Sequence, residues 1–152
     1  MRIVVDTGIF SASISRRRRQ RFETEMALMA GNQIFLAAAT VSELLYGALV
    51  AGWSEVRRER LEEAIRATTV IPVSNKLLST TAELRFACRR VGHPLHDRTH
   101  ANDLWIAASA VQIDAPLLTG DSVFNEAPRA YPAQVGGIVP RTSVDWFSWT
   151  LI

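Results

Sequence analysis

Apolar and polar positions alternate along this chain in a pattern that changes period several times. Ile3-Val4-Val5 is a β-branched run that reads as a short buried strand ending at Asp6. Thr7 and Gly8 read as a turn, and Ile9 to Ile14 as the start of a helix. Helical character resumes from Phe22 to Met29, Gly31-Asn32 breaks it, and Ile34-Phe35-Leu36 reads as a second strand. Thr40 is expected to cap a helix whose stripe of Val41, Leu44, Leu45, Ala48 and Leu49 follows i, i+3, i+4, i+7, i+8 spacing, with Gly52 at its end. Ser54 to Thr68 predicts a charge-laced amphipathic helix, and Val70-Ile71 a third strand. Asn75 to Val91 predicts a long helix stopped by Gly92 and Pro94, followed by a polar loop from His93 to Ala101. Asn102 to Val111 is apolar on nearly every face, as befits a helix inside a core. Leu117-Leu118 gives a fourth strand ending at Thr119-Gly120-Asp121, a helical turn follows from Ser122 to Ala127, and Gly137-Ile138-Val139 reads as a last strand. Alternating strands and helices predict a single α/β domain with a mainly parallel sheet and helices on both faces.

Composition narrows the function classes. At 152 residues with 48% hydrophobic content, the chain is long enough to bury a core as one domain. The net charge of +2 is too small for a polycation, so basicity is local, in the block Arg16, Arg17, Arg18, Arg19 and Arg21. Such a block reads first as a solvated face, and second as a contact for nucleic acid or an acidic partner. Cys88 is alone, which excludes a disulfide framework and a cysteine zinc site. The absence of a signal-peptide core and of any membrane-length apolar run leads to the expectation of a soluble, cytoplasmic protein.

Acidic residues occupy suggestive places. Asp6 and Asp121 each follow a strand, and ligands of parallel sheets bind beyond the carboxyl ends of strands. Each is also an ordinary turn residue when taken singly. Asp103 stands in the first turn of the apolar helix, where the helix dipole favours a carboxylate. Glu43 falls about 200° around its helix from Val41, away from the apolar stripe, so periodicity alone makes it a solvated residue. His96, Asp97, His100 and Asp103 form H-D-x-x-H-x-x-D, a pattern compatible with a transition metal, but Pro94 and the polar run make the segment a loop.

Four stretches in order, VVDTGIF, VSELLYGA, NDLWIAASA and LLTGDSVF, resemble the PIN-domain ribonucleases, and among them the VapC-type toxins of bacterial toxin–antitoxin modules. The likeness runs over residues 2–126, and residues 127–152 form an atypical Pro/Gly-rich tail with an apolar, aromatic end. The resemblance implies a PIN-like three-layer α/β/α sandwich in which Asp6, Glu43, Asp103 and Asp121 converge on Mg²⁺ or Mn²⁺, with Thr119 as a polar helper. It also implies RNA as substrate, homodimerisation, and neutralisation by a small VapB-like antitoxin. Arg16, Arg17, Arg18, Arg19 and Arg98 are the cationic side chains expected to meet RNA.

The electrostatics agree with such a site. Four carboxylates about 5–6 Å apart, at an effective dielectric of about 20, repel by on the order of 10 kcal/mol or more. Protonation or a hard cation must relieve that, and oxygen-only ligands favour Mg²⁺ or Mn²⁺ over zinc. A haloacid-dehalogenase-like phosphatase is argued against by Gly8, which stands where a second Asp is needed, and no phosphate-cradling glycine loop is present. A housekeeping PIN nuclease of RNA processing or decay and a catalytically silent RNA-binding module are the alternatives to a toxin.

Overall fold

Ile3 and Val5 point to one face of a central strand and Val4 to the other, and that alternation organises the molecule. In the computed structural model, which describes residues 1–125 and 127, β1 (Arg2–Val5) lies between β2 (Gln33–Ala37) and β4 (Leu117–Leu118). With β3 (Thr69–Ile71) at the far edge the order is β3-β2-β1-β4, and every pairing is parallel. The expected last strand at Gly137–Val139 and the aromatic tail lie outside the described residues.

Two cores flank the sheet. On one face Ile3, Val5 and Leu36 pack with α1 (Thr7–Ser13), α4 (Ala38–Val50) and α5 (Glu55–Arg66) through Ile9, Phe10, Leu44, Ala48, Leu61 and Ile65. On the other, Val4, Ala37 and Ile71 meet α6 (Asn75–Arg90) and α7 (Ala101–Gln112) through Leu77, Leu84, Cys88, Leu104, Ile106 and Ala107. The three-layer α/β/α sandwich follows, and Cys88 is the small buried residue its helical context suggests. Gly92, at φ +69, stops α6 in the left-handed region that glycine adopts without strain. Among the described residues no helix is long and apolar enough to cross a membrane.

Among the described helices α7 is the most buried, with Leu104, Ile106, Ala107, Ala108, Ser109 and Ala110 all inside. Ser109 satisfies its hydroxyl by donating to the Trp105 carbonyl at 2.8 Å. Ile106 is fully enclosed, at 0% exposure. Ile106→Ala is expected to cost about 2–5 kcal/mol, read as a lowered urea midpoint with unchanged slope.

Three local expectations are corrected. Thr40 is not a helix cap: α4 begins at Ala38, directly off β2, with Ala37 in the cap position and no side-chain cap bond. Ala37 is buried in the sheet, so packing rather than capping chemistry sets the junction, and the Thr40 hydroxyl is buried without a partner. Helical character also resumes earlier than the expected Phe22, within the arginine block. Arg16–Arg19 form a helical turn, α2, continued by a 3-10 turn at Gln20–Phe22 and by α3 (Glu23–Ala30). The polar stretch after α6 likewise contains 3-10 turns at Pro94–His96 and Arg98–His100.

Candidate active site

The register of two strands brings the first pair of polar side chains together. Val5 pairs with Leu118, so Asp6 and Thr119 follow side by side at the carboxyl ends of β1 and β4. The Thr119 hydroxyl donates to Asp6 Oδ2 at 2.8 Å and accepts the Asp121 backbone N–H at 3.0 Å. One hydroxyl therefore ties the end of β1 to the turn that carries Asp121. Asp6 Oδ1 accepts the Thr7 N–H at 2.6 Å, which makes Asp6 the N-cap of α1. The expected turn at Thr7-Gly8 is thus already helix. Asp121 caps the 3-10 turn Ser122–Phe124 through Val123 N–H at 2.9 Å.

Asp103 arrives from a different direction, in the first turn of α7. Its Oδ2 lies 3.0 Å from His100 Nδ1, an i,i+3 pair across the start of the helix. Glu43, in the second turn of α4, is half-buried rather than free in solvent. Its Oε2 accepts the Thr7 hydroxyl, and its Oε1 accepts Asn102 Nδ2 at 2.9 Å. Periodicity misplaced Glu43 because the face opposite the apolar stripe of α4 looks toward the starts of α1 and α7.

The four acids form one electrostatic neighbourhood. Burial, reinforced by the charges of Asp103 and Asp121, pushes the Asp6 carboxyl up to about 6, against the lowering effect of the Thr119 and Thr7 hydrogen bonds. Burial is also the main cause holding Asp103 above its ordinary value, with Asp121 and Glu43 adding to it. Each acid is turned onto a protein donor, and among the described residues no three His, Cys, Asp or Glu side chains are gathered tightly enough to hold an ion as they stand. The donor chemistry nevertheless fits a hard cation. Every acid offers oxygen only, a carboxylate oxygen that accepts one hydrogen bond keeps a second lone pair, and the repulsion felt by Asp6 and Asp103 is what a divalent ion relieves.

The remaining expected residues divide. Arg98 belongs to the turn immediately before α7 and is exposed at the approach to Asp103. The block at Arg16–Arg19 follows the far end of α1, one short helix away from Asp6, and Arg17, Arg18 and Arg19 are exposed. The histidine–aspartate pattern does not assemble. His96 Nδ1 meets the His93 carbonyl at 2.6 Å, Asp97 caps Thr99 at 2.9 Å, and only His100 meets Asp103.

Sequence reasoning missed Thr7 and Asn102, the chain neighbours of Asp6 and Asp103, both of which donate to Glu43. Position next to an acid inside each motif was the available signal, but nothing local says that both side chains reach the same glutamate.

Comparison with known proteins agrees with this architecture. The PIN domain family matches residues 3–130. The chain is 31% identical to Ribonuclease VapC5 of Mycobacterium tuberculosis over 123 residues, 80% of this chain and 84% of that protein. Its fold is similar to a chain in the VapBC2 complex of Rickettsia felis bound to promoter DNA, with a TM-score of 0.69 at 24% identity over 84% of this chain and 94% of that one. A chain of FitAcB from Neisseria gonorrhoeae gives a TM-score of 0.60 at 21% identity, over 78% and 87% of the two chains. A parallel sheet that delivers Asp6 and Asp121 beside an acid-headed buried helix, matched along this length, makes the chain a member of the PIN-domain family.

Proposed function

We propose that this protein is a divalent-metal-dependent endoribonuclease of the VapC type, a toxin held in check by a small antitoxin. The observation that supports the reading is that Asp6, Asp103 and Asp121 lie near enough to feel one another's charge. They come from three elements far apart in the chain, and two of them respond to their neighbours' charge. Perturbed carboxylates of this kind at the carboxyl end of a parallel sheet are the expected mark of a working site.

Asp6, Asp103 and Asp121 would hold Mg²⁺ or Mn²⁺, with Glu43 at the edge of the same neighbourhood. When bound, such an ion offsets the acids' repulsion, polarises a phosphodiester and acidifies the water beside it. The chain's own work is positional. The buried body of α7 keeps Asp103 in place, and the Thr119 hydroxyl keeps Asp6 against the Asp121 turn. Asp6, raised to about 6, would have to give up its proton to serve as an anionic ligand, so metal binding would be favoured as pH rises past about 6. Arg98, exposed before Asp103, is suited to a phosphate of the RNA, since guanidinium matches phosphate in two-pronged fashion. Arg16, Arg17, Arg18 and Arg19 would engage the RNA further from the cut.

The antitoxin reading rests on likeness to VapC5 and on the complexes in which the similar folds were solved. Tyr46, Leu49 and Val50, exposed on the helix that carries Glu43, give a protein partner or a second copy apolar surface to cover. Cleavage of a labelled RNA should require Mg²⁺ or Mn²⁺, stop on chelation with EDTA and return when the ion is restored. Cleavage that persists undiminished in EDTA refutes the metal mechanism.

A further inference from the structure

Like charges push their carriers apart, so the elements bearing Asp6 and Asp103 need something to hold them in register. The Thr119 hydroxyl serves that purpose between β1 and β4. Among the described residues nothing equivalent joins Asp6 and Asp103 directly. The link is indirect and passes through a third acid. Thr7, the residue after Asp6, donates its hydroxyl to Glu43 Oε2, and Asn102, the residue before Asp103, donates its amide to Glu43 Oε1 at 2.9 Å. These bonds span 36 and 59 residues of chain respectively. One carboxylate on α4 thus pins the first turns of two other helices, at the positions adjoining the two acids.

From this arrangement we infer that Asn102 and Thr7 are positioning residues that act through Glu43, setting the separation of Asp6 and Asp103 and hence the affinity of the site for its divalent ion. The inference rests on the metal-dependent reading above. Asn102 is exposed and adds nothing to the core, and α7 is anchored by its buried body whether or not the amide bond is present. A purely structural role would therefore show itself in stability. A positioning role shows itself in ion affinity with stability nearly unmoved. Thr7 has a second attachment, since its backbone N–H is bound to Asp6 Oδ1, so its side chain couples Asp6 to Glu43 through a single residue. Outer partners that orient ligating carboxylates ordinarily change metal affinity by one to two orders of magnitude.

The test is titration of the full chain with Mn²⁺ alone, followed by calorimetry, beside steady-state RNA cleavage as a function of Mn²⁺. Asn102→Ala and Thr7→Val should each weaken Mn²⁺ binding roughly tenfold. Excess Mn²⁺ should restore kcat, and KM for RNA should not change. Asn102→Ala should melt within about 2 °C of the wild type, because it is a surface change. Asn102→Gln, which keeps an amide donor on an exposed side chain with room for one more methylene, should recover most of the lost affinity. Unchanged Mn²⁺ affinity in Asn102→Ala overturns the inference. So does a raised KM for RNA that saturating Mn²⁺ does not correct, which would make Asn102 a substrate contact instead. A wild-type protein that neither binds Mn²⁺ nor cleaves RNA has a different meaning: the metal-dependent reading itself falls, and the inference with it.

Discussion

Asp103→Asn should lower RNA cleavage by roughly a hundred- to thousand-fold or more, and Asp6→Asn should do the same, while the far-ultraviolet spectrum of each variant stays that of the wild type. Both substitutions remove a negative charge and keep the shape. At position 103 the amide oxygen can still accept from His100, and at position 6 it can still cap α1 through the Thr7 N–H. What is lost is the anionic ligand. Several kcal/mol of charge stabilisation at roughly 1.4 kcal/mol per tenfold in rate give the expected loss. In cells the same variants should no longer arrest growth when expressed without an antitoxin. Full cleavage by Asp103→Asn would falsify the assignment, since no other acid described on α7 stands at the site.

The second large effect is on stability without metal. The Asp6 carboxyl moves from 3.8 to about 6 on folding, chiefly because it is buried. The folded state therefore holds a proton that the unfolded state has already released. Asp6 contributes no penalty below the unfolded value of 3.8, a growing one as pH rises, and the whole of it above about 6. At roughly 1.4 kcal/mol per pH unit the penalty reaches about 3 kcal/mol at neutral pH. In urea titrations with EDTA present, Asp6→Asn should be the more stable protein at pH 7.5, and the difference should shrink to nothing near pH 4. Adding Mg²⁺ or Mn²⁺ at pH 7.5 should stabilise the wild type and leave the variant nearly unmoved. A gap between wild type and variant that does not vary with pH would mean that Asp6 does not carry this proton.

On the proposed reading, stability and activity pull against each other at Asp6. The burial that makes Asp6 costly to ionise would also favour a small, hard, doubly charged ion, because such an ion offsets several carboxylates in a small volume. Thr119 moderates the conflict. Its hydroxyl stabilises the ionised form of Asp6, and by also accepting the Asp121 N–H it has its single proton directed at Asp6.

Much of the molecule is legible in its sequence. Short continuous apolar or β-branched runs located the four described strands within a residue or two, because strands at the centre of a sheet covered on both faces leave little room for polar residues. The apolar circumference of 102–111 announced a core helix, and α7 is one. The position of Asp6 and Asp121 after strands, and of Asp103 at a helix start, was readable from neighbouring residues alone. Resemblance in four ordered stretches then supplied what spacing could not, the expectation that these acids belong together.

Other features depended on facts distributed along the chain. Thr40 looked like a cap because threonine favours that position, yet α4 runs straight out of β2 with Ala37 at the junction. Sheet burial of Ala37 outweighed the cap preference, which is worth only about 1 kcal/mol. Glu43 looked solvated because a helical wheel knows only its own helix. Its partners are Thr7 and Asn102, far away in sequence.

The amino-acid sequence by itself determined the main strands and helices and marked the candidate acids, because hydrophobic pattern and residue type are local properties, and the alternation of strands and helices implied their parallel arrangement. Only the tertiary structure decided the register that sets Asp6 beside Thr119, the raised proton affinity of Asp6, and the bracket that Glu43 forms with Thr7 and Asn102. Those depend on which distant residues share a volume of a few ångströms, and on how much water that volume excludes.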